Sequence, residues 1–453
     1  MTSGPVRDRM ARLLGGRNRA GRDHATRLAG GRGWAVREHV ARLVGGRGWA
    51  VWPTLVGIAA SGTAAATTLV IAWGIGAAAF GRFTLVLTIA LIVTVGMLLN
   101  LNYVMFQELP RAEPQDRPAL VTTALFTTLA LGGGLVAAGL LAAPALTRLL
   151  GVDVRTLCFA LALALSMTVN QLTESFLRGL KKFAFVAGLK LAVAAVYLAT
   201  AAYCLLVAGI RDAEVYLVAL IVTNVVFALV AVIGFDIVPR SWSASLARSL
   251  LRHGAYMSVI AAFTAVLFGV DVIFLNHWAS GSDVGVYSIY NGFPKRLLGV
   301  VFTEGIGLVL LPVLATADKV AALRRIGRLA PAIAVATAVF SFAASALFFL
   351  VLRAEYPYSP GLMALSAVGI GVHTVFNLYL FALSMDGVRG AKVLIACLAV
   401  GSPLALACQA VFISWQGLTG GLMGFALTNL VLVAVVAVAA ARVYRARPPE
   451  VER

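Results

Sequence analysis

Two adjacent cations, Lys295 and Arg296, follow Pro294 inside an otherwise apolar run at 286–313. At 1.5 Å per helical residue they lie roughly 14–15 Å into that run, near the midplane of any bilayer it crosses. Ionisable side chains at such depth are costly and mark pathways, relays or internal pairs. Arginine grips phosphate oxygens through two parallel hydrogen bonds and lysine acts as a point charge, so the pair suits an anion crossing a low-dielectric region. Neighbouring side chains diverge by about 100° around a helix, so at least one should reach a central cavity. The competing reading is an internal ion pair with Asp271, about 8 Å inside the preceding run. Proline at 294 should kink the helix and free backbone carbonyls.

Other polar residues sit within apolar runs. Glu304 lies two turns beyond Arg296 and, like Asp271 and His373, is a candidate for coupling to a proton or Na⁺; its alternative is partnership with Lys295 or Arg296. Asn100 and Asn102 offer amides suited to hydroxyl-rich ligands, although Asn between membrane helices also serves as packing glue. His373 stands alone in its run, a position that suits a hydrogen-bonded interior imidazole as well as a proton carrier. Glu174 and Arg178, spaced i, i+4, read as a structural ion pair, and Asp236 with Arg240 repeats the spacing. Asp386 and Arg389 read as a solvated pair. The four cysteines, Cys158, Cys204, Cys397 and Cys408, fall in apolar runs with neither metal-ligand spacing nor a partnering His. No cofactor or metal is expected.

The elements that position these residues are apolar segments of membrane-spanning length. Hydrophobic residues form 60% of the 453 and charged residues 12%, with mean hydropathy +0.92, far from a soluble domain's quarter charged. Twelve runs can be drawn, at 53–75, 83–106, 119–146, 156–177, 184–209, 215–238, 254–276, 286–313, 330–352, 361–383, 392–414 and 420–441. Each meets the roughly 20 residues a helix needs to cross hydrocarbon. The expected fold is an all-α polytopic membrane protein. Connections after even-numbered runs hold fifteen Lys and Arg against five after odd-numbered ones. The positive-inside rule therefore puts both termini in the cytoplasm of a cell-membrane protein.

Residues 1–52 form a basic arm with eleven arginines against three acids, a net of +8. Arginine recurs every five residues from Arg7 to Arg47, and Gly-Gly-Arg-Gly-Trp-Ala-Val occurs at 30–36 and 45–51. Such charges spiral around a helix instead of lining one face. The arm is expected to meet anionic lipid headgroups, not nucleic acid.

Three echoes suggest duplication. Phe80-Gly-Arg-Phe83 returns as Val284-Gly-Val-Tyr287 after 204 residues, Thr223-Asn224 as Thr428-Asn429 after 205, and Leu109-Pro110 as Leu311-Pro312 after 202. Two homologous six-helix halves, 53–240 and 241–445, with a tail at 446–453, follow as the expected organisation. Six helices per half preserve orientation, so the pseudo-axis runs along the membrane normal.

These motifs carry a family resemblance. Ala79-Phe-Gly-Arg-Phe83, Phe176-Leu-Arg-Gly179, Asp271 with Val284-Gly-Val-Tyr287, Leu311-Pro312 and Gly417-Leu-Thr-Gly-Gly421 resemble the polysaccharide-export flippases of the multidrug, oligosaccharidyl-lipid and polysaccharide (MOP) exporter superfamily, over about residues 53 to 445. In place of the usual arginine before the first-connection glycine motif stands Ala72-Trp-Gly-Ile-Gly76. The resemblance implies twelve helices in two pseudo-symmetric lobes around a central cavity. It also implies alternating-access flipping of a polyprenyl-diphosphate-linked oligosaccharide to the outer leaflet, alongside polysaccharide-assembly partners. Lys295, Arg296, Asn100 and Asn102 would then meet substrate. Ion-coupled extrusion of drugs or amphiphiles is the alternative; a membrane glycosyltransferase or polymerase fits less, because the connections are too short for a catalytic loop.

Overall fold

The computed structural model describes residues 51–300, 318–352 and 356–444. Glu304, Leu311-Pro312, nearly all of the basic arm and the tail lie outside the described residues. What is described is almost wholly helical. In chain order the helices are α1 (Val51–Leu98), α2 (Leu101–Glu108), α3 (Arg117–Leu141), α4 (Ala143–Leu150), α5 (Val154–Gly179), α6 (Phe183–Leu206) and α7 (Ala213–Val232). After a short 3₁₀ turn at Pro239–Ser241 come α8 (Ala244–Leu267), α9 (Val270–Trp278), α10 (Gly281–Tyr287), α11 (Phe293–Val300), α12 (Lys319–Leu352), α13 (Pro360–Ser384) and α14 (Gly387–Val443).

Among the described residues, nine helical stretches are long and apolar enough to cross a membrane. Two of them are double. α1 holds a non-helical Gly76 (φ 78°, ψ 167°) and α14 a non-helical Gly417 (φ 54°, ψ −123°), conformations that only glycine adopts without strain. The eighth run is broken into α10, a π-turn at Ser288–Gly292 and α11. Together these give the twelve membrane helices.

Local chemistry sets the boundaries. Ser243, Asp153 and Ser359 cap α8, α5 and α13 by accepting from backbone N–H groups, satisfying donors that a helix start leaves unpaired. Ser280 and Asp283 form a reciprocal capping box at the start of α10. Leu99 and Asn100, both with positive φ, stop α1 and start α2. By Asp236 the chain has left the helix, so the expected i, i+4 pair with Arg240 does not form among the described residues.

The halves meet through equivalent backbone. A Cβ on Gly81 would fall 2.0 Å from the carbonyl oxygen of Gly281, and one on Gly285 would fall 1.9 Å from that of Ala77. Gly81 and Gly285, like Ala77 and Gly281, are 204 residues apart. The contact is reciprocal, as a two-fold pseudo-axis requires. A buried cluster running from Ile71 and Phe80 to Tyr287, Tyr290 and Tyr356 fills the space around this seam. Tyr356 adds a hydrogen bond from its hydroxyl to Ala72 O at 2.9 Å.

Candidate functional site

The eighth run departs from regular α-helix at the π-turn Ser288–Gly292, just before Pro294. Pro294 has no N–H to give to Tyr290 O, four residues earlier, and the Ser366 hydroxyl of α13 donates to that oxygen instead, at 2.6 Å. The seventh run is also discontinuous, between α8 and α9. Of the carbonyls freed at that break, Leu267 O accepts from Gln409 Nε2 at 3.1 Å and Phe268 O from Lys295 Nζ at 3.4 Å.

Lys295 is therefore held from several sides. Its ammonium lies 3.9 Å from Asp271 Oδ2, 4.4 Å from the centroid of the Phe425 ring and 6.0 Å from that of Phe268. Asp271 is buried, and Tyr287 donates its hydroxyl proton to Asp271 Oδ2 at 2.5 Å. Asn291 Nδ2 donates in turn to Tyr287 Oη at 2.6 Å, which leaves the buried Asn291 Oδ1 without a partner among the described residues. The result is a connected chain, Asn291 to Tyr287 to Asp271 to Lys295, in which each spacing of four residues from 287 to 295 repeats one face of the eighth membrane helix.

Lys295, Arg296 and Asp271 share a cavity of about 250 Å³ between the two halves. One wall comes from α1, whose Phe80, Thr84, Thr88, Leu91 and Ile92 recur on a single helical face. The other comes from Tyr287, Asn291, Lys295 and Arg296, with Asp271 and Phe268 at its edge. A larger groove of about 640 Å³ between α3 and the 239–242 connection is lined by groups such as Phe126, Leu131 and Trp242 with no ionisable side chain. Chemistry singles out the smaller one, since charges there line a space between lobes.

The remaining predicted residues fall elsewhere. Asn100 occupies the left-handed break between α1 and α2, and Asn102 Oδ1 is buried without a partner among the described residues; neither is among the described lining of the charged cavity. Glu174 bonds Arg178 at 2.7 Å and also Lys190 on α6 at 2.9 Å, so the expected pair is a triad. Asp386 accepts from the Tyr444 hydroxyl at 2.5 Å, while Arg389 lies over the Tyr444 ring and donates to Val443 O. The two residues meet the end of α14, with Arg389 exposed and Asp386 half-buried.

His373 Nδ1 lies 2.9 Å from Asn429 Oδ1 and packs against Phe268 and Phe425, the rings that also flank Lys295. Its counterpart in the first half is Asn170, whose Nδ2 donates to Asn224 Oδ1 at 2.7 Å. The two pairs are related by offsets of 203 and 205 residues. Asn291, Phe268, Phe425 and Gln409 were not singled out from sequence, and Tyr287 entered only as the end of a repeated motif. Only the i, i+4 spacing of Tyr287, Asn291 and Lys295 carried a signal.

No protein-family model matches the chain, and no curated protein matches it. Solved structures do. An inward-facing multidrug resistance MATE family transporter of the MOP superfamily aligns with TM-score 0.64 and 15% identity, covering 86% of this chain and 94% of that one. An outward-facing form of such a transporter aligns with TM-score 0.57 and 16% identity, covering 87% and 94%. A MOP superfamily transporter from Pyrococcus furiosus, described as having a binding pocket of reverse polarity, aligns with TM-score 0.57 and 15% identity, covering 86% and 94%. The likeness in each case covers nearly the whole of the solved chain. This chain has the fold of the MOP superfamily transporters.

Proposed function

We propose that the protein is an alternating-access transporter that flips a polyprenyl-diphosphate-linked oligosaccharide from the inner to the outer leaflet. The observation that carries this reading is the pair Lys295 and Arg296 lining a cavity between the halves, with Asp271 as the one carboxylate among its described lining residues. That balance of charge suits a diphosphate and opposes a cationic drug. The fold supports transport, and a neighbour with a reverse-polarity pocket supports the idea that this scaffold carries cavities of different electrostatic character. Both termini are read as cytoplasmic, the basic arm resting on anionic lipid and any assembly proteins meeting the cytoplasmic face.

The test is reconstitution into liposomes with a fluorescent polyprenyl-diphosphate oligosaccharide. The wild type should move it between leaflets, and the Lys295→Gln, Arg296→Gln double variant should not, while still inserting as a folded but less stable protein, since Asp271 loses its cation. Wild-type rates from the double variant would remove the cations from the mechanism. Wild-type protein that leaves the lipid in place but expels a cationic dye would favour ion-coupled extrusion instead.

A further inference from the structure

At the seam the two halves correspond at a constant 204 residues: Ala77 with Gly281, Gly81 with Gly285, and Thr84 with Ser288. In sequence the same offset sets Leu91 against Lys295 and Ile92 against Arg296, beyond the π-turn at Ser288–Gly292 that α1 lacks. All four residues line the one cavity. The offset also sets Phe83 against Tyr287 and Leu87 against Asn291. Where the second copy bears Tyr287, Asn291, Lys295 and Arg296, the first bears Phe83, Leu87, Leu91 and Ile92, while Thr84 and Ser288 are polar in both. Leu91 is 42% exposed and lines the cavity.

We infer that the cavity is a two-walled site that reads an amphiphile in two parts. The diphosphate lies against Lys295 and Arg296, and the first isoprene units lie against Leu91 and Ile92. This rests on the proposed function and adds the residues that distinguish a prenylated anion from a bare one. A cavity polar on all sides would hold the anion but leave the attached hydrocarbon in water. An apolar wall opposite the cations recovers part of the hydrophobic transfer free energy while the charges stay paired.

Geranyl diphosphate and inorganic pyrophosphate separate the two parts, because they share the anion and differ in two isoprene units. With full-length protein in lipid nanodiscs, the wild type should bind geranyl diphosphate about tenfold more tightly, the equivalent of about two buried methylene groups. Leu91→Asn should bring that ratio to about one with pyrophosphate affinity unchanged, whereas Arg296→Gln should weaken both ligands alike. Leu91→Ala, which keeps strong helix propensity, reads the same ratio if the asparagine variant folds poorly. A wild-type ratio of one, or a preference that survives in both Leu91 variants and in Ile92→Asn, overturns the two-walled site alone. Wild-type protein that binds neither anion overturns the proposed function with it.

Discussion

Ser288 Oγ donates a hydrogen bond to Thr84 Oγ1 at 3.0 Å, although 204 residues separate them. The two occupy equivalent positions in the two halves, so a residue and its own counterpart touch on the pseudo-axis. Ser288 also donates to Val284 O and Thr84 to Phe80 O, and these carbonyls are themselves 204 apart. The same local hydroxyl-to-carbonyl geometry is thus built twice and joined at its centre.

The glycines beside that bond should resist any side chain. Gly285→Ala puts a methyl group into the Ala77 carbonyl, which forces the seam apart and should cost about 1–3 kcal/mol in thermal or denaturant unfolding. In a cysteine-free background, a cysteine at position 84 should then react faster with a membrane-impermeant maleimide. Unchanged labelling would mean the seam is not what closes that end.

The Lys295–Asp271 pair should behave as a coupled unit. Lys295→Met leaves a buried carboxylate without its cation and should cost about 3–5 kcal/mol, because uncompensated buried charge is expensive. Asp271→Asn with Lys295→Met should cost far less than the two single changes summed. Additive losses in that double-mutant cycle would show that the pair does not interact energetically.

Ser366→Ala removes the donor to Tyr290 O and leaves a buried carbonyl unpaired. The expected loss is about 1–3 kcal/mol. In a Pro294→Ala background the backbone N–H is restored, and the same substitution should become nearly neutral. Equal effects in both backgrounds would disconnect the hydroxyl from the proline.

Deleting residues 1–48 should change membrane abundance or partner association more than transport. Flipping assayed in anionic and in neutral liposomes checks this: wild-type rates are expected in both for the truncated chain, and loss of flipping would give the arm a direct role.

Much of the architecture was legible in the sequence because a bilayer imposes a length on every helix, and apolar runs of that length can be counted. The three echoes found near one offset pointed to duplication, and the reciprocal contacts of Gly81 and Gly285 supply its geometry. Lys295 and Asp271 could be paired in thought because charge in hydrocarbon must find a partner. The ring of Phe425 over Lys295 and the bond from Gln409 to Leu267 O were not legible, since they join runs more than a hundred residues apart with no motif, and the Phe268 ring comes from the neighbouring run with no motif to mark it. Lys190 was counted as a basic connection residue but not as a second partner of Glu174, a contact fixed by packing of α5 against α6.

A self-complementary seam carries a historical consequence. It is the surface that one six-helix protein would offer to a second copy of itself, with parallel insertion and closed two-fold symmetry. On that view fusion of two genes turned an interface between subunits into an internal joint. Only then could one copy acquire charge at positions such as 295 and 296 while its twin kept leucine and isoleucine at 91 and 92, since a homodimer must alter both sides at once.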